Sequence, residues 1–399
     1  MERVYTAVSI SLFTNKRLAI YCDTQAHSIN NFIEYILQPN GFNEGSYTVI
    51  DLLQYVTIED ILHQSTTTSS SSNRDGSLQF KNVIIWQNLQ HLDNTRQKQL
   101  YQLILQIDNY GKSSSTNKNL PTTISTNNHV FKVIKPSLFT IIPFLEYGLY
   151  DYKIYPYLKE MFWSSVTFPT TTAYNKLVNL IPNYQSAILK SRCKMDTVFI
   201  SPTIKSYIYS LIVFIRCHRL ASLAPKSVRV PTATVSYMED YCKSLVLWRR
   251  QLQSNRTSMT DTTVIDDEEN VLEKTATAAV DLELEEEEAG LFVTPEYVKI
   301  AIRNIGYWLV DWETNRKFAN TKDLKADAKI SDTSNAQNET VLSNKKLEIS
   351  MLTGDWYGSE YYCANEFLKS YKATRDDESP TGMTNRLVDD AIEEARPPL

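Results

Sequence analysis

Apolar residues along this chain fall into two rhythms, and each predicts a different element. Short unbroken runs come first. Arg17–Cys22 (RLAIYC), Tyr47–Leu53, Phe80–Trp86, Phe131–Ile134 and Phe139–Ile142 are apolar stretches bounded by polar residues, the pattern of strands buried on both faces of a parallel sheet. Between them apolar positions recur at helical spacing. Ile29, Phe32, Ile33, Ile36 and Leu37 share one helix face, with Ser28 placed to cap it. Thr57-Ile58-Glu59-Asp60 reads as a second helix start. Asp93 is placed to cap a third helix, with Leu100, Leu103, Ile104 and Ile107 on one side. Leu158–Phe168 (LKEMFWSSVTF) runs from a helical end into another apolar strand. Strands alternating with helices predict an α/β layer built on a parallel sheet.

After about residue 190 the strand rhythm stops and helical spacing takes over. Val198–Leu220 has Ser201 at the cap, Pro202 at the first helical position, and Ile204, Ile208, Leu211, Ile212 and Ile215 on the buried face. Thr232–Leu252 reads as a further helix. Leu291–Trp312 repeats the device with Thr294, Pro295 and a face of Val298, Ile302, Ile305, Leu309 and Trp312. The expected organisation is therefore an α/β core over 1–190, a helical lid over 191–313, and a tail over 314–399 carrying an aromatic helix at 355–371. Polar, low-complexity stretches at 65–77, 112–128 and 257–289 are expected to be disordered inserts. From Asp261 to Glu288 there are twelve acidic residues against one Lys, Lys274, which favours a solvated run.

Composition narrows the function classes. A chain of 399 residues with 42% hydrophobic content is globular, and its net charge of -5 gives no global attraction to nucleic acid or anionic lipid. The five cysteines, Cys22, Cys193, Cys217, Cys242 and Cys363, form no C-x-x-C pair and read as buried free thiols of a reducing compartment. The start of the chain lacks the pattern of a secretion signal, and no apolar run reaches the roughly 20 residues of a membrane-spanning helix. An intracellular protein with no membrane contact is expected, in nucleus or cytoplasm.

Ten glycines in the whole chain leave little for a loop that must wrap a phosphate. Gly111-Lys112-Ser113 is a fragment of such a loop, but the motif needs Gly at position 106, which is Gln106, and needs a strand before it. The place following the first strand, Cys22–Ile29 (CDTQAHSI), has neither Gly nor Lys. The strand end where an acidic pair would hold Mg²⁺ reads Trp86-Gln87. The five histidines show no i, i+4 metal spacing. Arg216, Arg219, Lys226, Arg229, Arg249 and Arg250 make the 200–250 region locally basic. Arg216, Arg219, Lys226 and Arg249 are the candidate contacts for a protein partner or nucleic acid; no catalytic, cofactor or metal residue is assigned.

The order of segments resembles the MoxR and magnesium-chelatase branch of the AAA+ ATPases. Cys22–Ile29 occupies the phosphate-loop slot, Phe80–Gln106 the acidic-strand slot, and Lys159-Glu160-Met161-Phe162 stands where that branch carries an arginine. Val198–Leu220 and Leu291–Trp312 look like the two helices of its lid, and Ala224-Pro225-Lys226 resembles the lid segment that carries a nucleotide-sensing arginine. Within that branch the chain is similar to the fungal maintenance of telomere capping protein 2 family, through the glycine-free first loop, Val198–Leu220 and Phe292–Lys299. The resemblance covers about residues 1–250 and 290–370 and implies a role in telomere capping. The sequence thus leads to a non-catalytic AAA+-like protein that acts through protein partners. Residual nucleotide binding, or direct binding of telomeric nucleic acid, stands as the alternative.

Overall fold

The computed structural model describes residues 1–55, 57–68, 78–113, 122–125, 129–147, 154–169, 181–218, 230–261, 291–310 and 375–398. Residues 219–229 and 311–374, and with them Arg219, Lys226, the Ala224-Pro225-Lys226 segment and the aromatic helix expected at 355–371, lie outside the described residues. So do most of the three polar inserts.

The chain begins with a helix that its pattern does not reveal, α1 (Glu2–Thr14). Val4, Tyr5, Val8, Ile10, Leu12 and Phe13 are all buried. They surround the helix instead of lining one stripe, so no helical period stands out. Its serines are satisfied locally: Ser9 Oγ donates to the Tyr5 carbonyl at 2.7 Å, and Ser11 Oγ donates to the Lys16 carbonyl. Asn15 ends the helix in the left-handed conformation, φ 54°, a residue that tolerates it.

β1 (Arg17–Cys22) follows, then α2 (Gln25–Phe32), which continues through a π-turn at Ile33–Leu37. Ile29, Phe32, Ile36 and Leu37 are buried as the spacing predicts. The helix starts earlier than expected, with Thr24 at its N-cap, so Ser28 lies inside it and is buried. β2 (Tyr47–Asp51) leads to α3 (Ile58–Ser65), capped by Thr57 through a 3.1 Å bond from the Asp60 amide.

The Phe80–Trp86 run is two strands. β3 (Thr66–Thr68) pairs with β4 (Leu78–Phe80), and β5 (Val83–Gln87) belongs to another sheet. The break falls at Lys81-Asn82, where the Asn82 side chain donates to the Leu138 carbonyl at 2.9 Å and steps the chain from one sheet to the other. α4 (Asn94–Ser113) follows Asp93, and its backbone runs helically through Gly111-Lys112-Ser113. β6 (Thr122–Ser125) and β7 (Val130–Ile134) complete the small sheet, in the order β3-β4-β7-β6. Two of the polar stretches read as inserts thus contribute a strand each, β3 and β6, because Thr-rich segments pair well at a sheet edge.

The main sheet adds β8 (Thr140–Glu146), then α5 (Pro156–Glu160) and β9 (Phe162–Thr167). All five strands are parallel, in the order β2-β5-β8-β1-β9. The α/β class and its parallel sheet stand as the sequence predicts. From β1 the chain proceeds to β2 at one edge of the sheet, while from β8 it proceeds to β9 at the other edge. In open α/β sheets such a divergence leaves a crevice at the carboxyl ends of the two strands.

The remaining helices are α6 (Tyr184–Cys193), α7 (Pro202–Cys217), α8 (Thr234–Asp261), α9 (Pro295–Leu309) and α10 (Arg386–Glu394). α7 matches its prediction closely: Ser201 accepts from the Ile204 amide at 3.2 Å and the five expected residues are buried. In α9 Thr294 holds the N-cap position without a side-chain bond, and Trp308 is a buried residue of the helix that the spacing did not select. α9 packs on β9, α8 on α1, and α10 on α7 and α9. Cys22 and Cys242 are buried free thiols; Cys193 and Cys217 are exposed, contrary to expectation, because they close α6 and α7 where the helices run out into solvent. Among the described residues no helix is long and apolar enough to cross a membrane.

At the amino end of the sheet Arg17 pairs with Asp108, and Arg192 donates to the Leu12, Phe13 and Ser137 carbonyls, closing the end of α1. Lys135 sits nearby with its amine 5.0 Å from the Phe139 ring. Burial first, then the Arg17 and Arg192 charges, push its pKa down to about 8, against a partial offset from Asp108. An unfolded lysine keeps its proton to about pH 10.4. The unfolded chain therefore binds more protons between these values, and stability rises as pH climbs from about 8 toward 10. Lys135→Met removes that rise and is expected to stabilise the chain at pH 7 by about 1–3 kcal/mol, as read by urea unfolding at pH 7 and pH 9.5.

Candidate functional site

The crevice between the carboxyl ends of β1 and β8 is the place where an α/β sheet of this kind would hold a ligand. β1 ends at Cys22 and α2 starts at Gln25, so only Asp23 and Thr24 connect them. A phosphate-cradling loop spreads an eight-residue motif over that junction, and a two-residue link cannot turn enough amides toward one anion. Gln25 is buried and reaches across to β5, where its Oε1 accepts the Asn88 amide at 3.0 Å.

The tip of β5 differs from the sequence reading. Trp86 is 1% exposed and its ring packs edge-on to Phe162 at 6.2 Å. It is a core residue, and the pair presented at the strand end is Gln87-Asn88. Asn88 adopts φ 61° and its Nδ2 donates to Asp51 Oδ1 at 2.8 Å. Two neutral amides stand where a metal-holding acid pair would be needed, and the one nearby carboxylate, Asp51, is already engaged by the Asn88 side chain and the Leu53 amide. Gln90 clamps the end of β8: Nε2 donates to the Glu146 carbonyl at 3.2 Å, and Oε1 accepts the Glu146 amide at 2.8 Å.

Among the described residues, Tyr147 and a C-terminal turn stand at the mouth of the crevice. Tyr147 stacks on Tyr21 at 6.0 Å and its hydroxyl donates to the Tyr21 carbonyl at 3.2 Å. Burial pushes this phenol well above the usual tyrosine range. Over its other side runs a turn from Arg375 to Met383. The Arg375 guanidinium lies 5.4 Å from the Tyr147 ring, pairs with Asp23 at 3.0 Å and with Asp377 at 2.9 Å. Thr167 at the end of β9 donates to the Ser379 carbonyl at 2.5 Å. Gly382, φ +73°, lies so close that a Cβ there would stand 2.1 Å from the Tyr147 ring. Burial also raises the Cys22 thiol to about 12, so the thiol at the end of β1 is not a nucleophile at neutral pH. Among the described residues no cluster of His, Cys, Asp and Glu could hold a metal ion.

Of the four predicted contact residues only Arg216 and Arg249 are among the described residues, and neither stands at this crevice. Arg216 donates from Nε to the Val230 carbonyl at 3.3 Å, holding the end of α7. Arg249, on α8, stacks over Tyr297 at 4.9 Å. Lys159, in the slot where the resemblance expects an arginine, lies over Trp308 at 5.2 Å. Tyr147, Arg375 and Gly382 were not selected from the sequence. Gly382 carried the one signal, as a rare glycine in a chain that has ten.

No protein-family model matches the chain, and no curated protein matches it. Among solved structures, the chain is similar to a candidate ATPase from Cytophaga hutchinsonii ATCC 33406. The two are 11% identical with a TM-score of 0.44, over 76% of this chain and 80% of that one.

Proposed function

We propose that this chain is a non-catalytic AAA+-like protein that acts by binding protein partners, in the telomere-capping role implied by its resemblance to the fungal family. The carrying observation is the closed crevice. A two-residue junction replaces the phosphate loop, amides replace the acid pair, and Tyr147 with the Asp23–Arg375 pair occupies the mouth. Each loss alone could be compensated. Together they remove charge neutralisation, metal and access at once.

Mg²⁺-dependent ATP turnover by the purified chain is expected to stay at background. Gln87→Asp with Asn88→Glu is expected to create none, because the phosphate loop is still missing. Turnover that rises with protein concentration and disappears when Asp23 and Asp51 are changed to Ala would overturn the proposal. Direct nucleic-acid binding predicts salt-dependent retention of telomeric oligonucleotides, weakened by Arg216→Glu and Arg249→Glu; its absence leaves a protein partner.

A further inference from the structure

The main sheet has two outer strands, β2 and β9, and the fold treats them differently. β9 is closed off: α9 packs on it, and the Trp308 indole donates to the Phe162 carbonyl. β2 is held to β5 from the Ser46 carbonyl, which accepts the Val83 amide at 3.1 Å, to the Leu52 amide, which donates to the Gln87 carbonyl at 3.3 Å. In a parallel pair alternate residues bond to the neighbour. Thr48 and Ile50 therefore face β5, and Tyr47, Val49 and Asp51 direct their backbone groups outward. The Asp51 carbonyl is used by the Gln54 and Tyr55 amides. The Tyr47 and Val49 carbonyls and the Tyr47, Val49 and Asp51 amides have no backbone partner among the described residues.

Sheet edges in natural proteins are blunted by Lys, by Pro, by a bulge or by a covering element. β2 reads Tyr-Thr-Val-Ile-Asp, with neither Lys nor Pro. Its register with β5 runs unbroken from Tyr47 opposite Val83 to Asp51 opposite Gln87, so it has no bulge. α3 packs on β2, yet the outward residues Tyr47, Val49 and Asp51 stay partly exposed. The strand carries one charge, Asp51, at its end. An edge with unpaired backbone groups and no blunting device is a template for another strand.

We infer that β2 pairs edge to edge with β2 of a second copy of this chain, antiparallel about a two-fold axis at Val49, so that the two main sheets become one. The free groups select this occupant because they match themselves. About that axis the Val49 amide of each copy meets the Val49 carbonyl of the other, and the Asp51 amide meets the Tyr47 carbonyl. Both free carbonyls are then used, and two of the three free amides. The charges fit as well. Asp51 lies opposite Tyr47 of the second copy and about 13 Å along the strand from that copy's own Asp51. The exposed Glu44 of the second copy is brought toward the end of β2, where the Arg96 guanidinium holds the Leu52 and Tyr55 carbonyls. Two β-branched side chains, the Val49 pair, face each other at the axis. The shared edge is five residues long, short for a standard interface, so the association is weak and depends on concentration.

The test is sedimentation velocity of the full-length chain from low to high micromolar concentration, with amide hydrogen exchange at both ends of the series. A monomer–dimer equilibrium is expected, and the amides of residues 46–52 should exchange more slowly in the concentrated sample than in the dilute one. Val49→Lys sets two ammonium groups against each other at the axis and should weaken the dimer at least tenfold. Val49→Thr keeps a neutral β-branched side chain there and should dimerise as the parent does; urea unfolding of both variants shows that the fold is kept. The exchange comparison uses the parent alone and stands even where Val49→Lys fails to fold. A dimer whose 46–52 amides exchange as fast as in the monomer, or one that a folded Val49→Lys leaves intact, would overturn the assignment. A chain that stays monomeric throughout also overturns it, and leaves the edge to an extended segment of another protein.

Discussion

Gly382→Val is expected to release the C-terminal turn and destabilise the chain by about 3 kcal/mol or more. Two costs add. The backbone there has φ +73°, a region a β-branched residue strongly resists. The new Cβ would also stand 2.1 Å from one Tyr147 ring carbon and 2.7 Å from another. The ring cannot swing away, since Tyr21 stacks on it, its hydroxyl is bonded to the Tyr21 carbonyl, and Arg375 covers it. The turn has to leave instead, taking the Arg375–Asp23 pair and the Thr167 bond to Ser379 with it. Urea unfolding reads the loss, and limited proteolysis should cut near residues 375–383 faster than in the parent. Tyr147→Ala in the same chain should recover part of the penalty, because the two side chains share one space.

Trp308→Ala is expected to cost about 3–5 kcal/mol, the range for emptying a large buried aromatic site. Trp308 is 1% exposed and fastens α9 to the main sheet. Its indole N–H donates to the Phe162 carbonyl and to the Lys159 carbonyl at 3.1 Å. The ring lies edge-on to Phe162 at 6.4 Å and to Tyr21 at 6.1 Å, with the Lys159 amine 5.2 Å above. The same aromatic cluster runs through Tyr21 to Tyr147, so the helices and the closed crevice are one packed body. Chemical unfolding of Trp308→Ala should show a lower midpoint, and Trp308→Phe should fall between the two by restoring volume without the donor.

The parts of this fold that were legible in the sequence are those whose cause is local. β1 needs only six consecutive residues, and α7 announces itself through Ser201, Pro202 and one stripe of isoleucines and leucines. α1 was missed because burial on several sides erases the stripe that would have marked it. β3 and β6 were missed because a Thr-rich edge strand and a Thr-rich linker look alike. The lack of Gly and Lys after β1 is legible too, since it is a statement about composition. Which residues stand at the tip of β5 is not legible: that depends on where the core ends, and Trp86 lies inside it. Least legible was what fills the crevice. Arg375 and Asp23 are 352 positions apart, and no periodicity or motif joins them.

The claim that the crevice is closed to nucleotide has a direct measurement, calorimetric titration of Mg²⁺–ATP and of ADP into the full-length chain and into Gly382→Val. Closure by the C-terminal turn together with loss of the phosphate loop predicts no saturable heat up to millimolar ligand, in the parent or in the variant whose turn is loosened. Stoichiometric binding of either nucleotide to the parent, weakened by changing Asp23 or Tyr147, would contradict it.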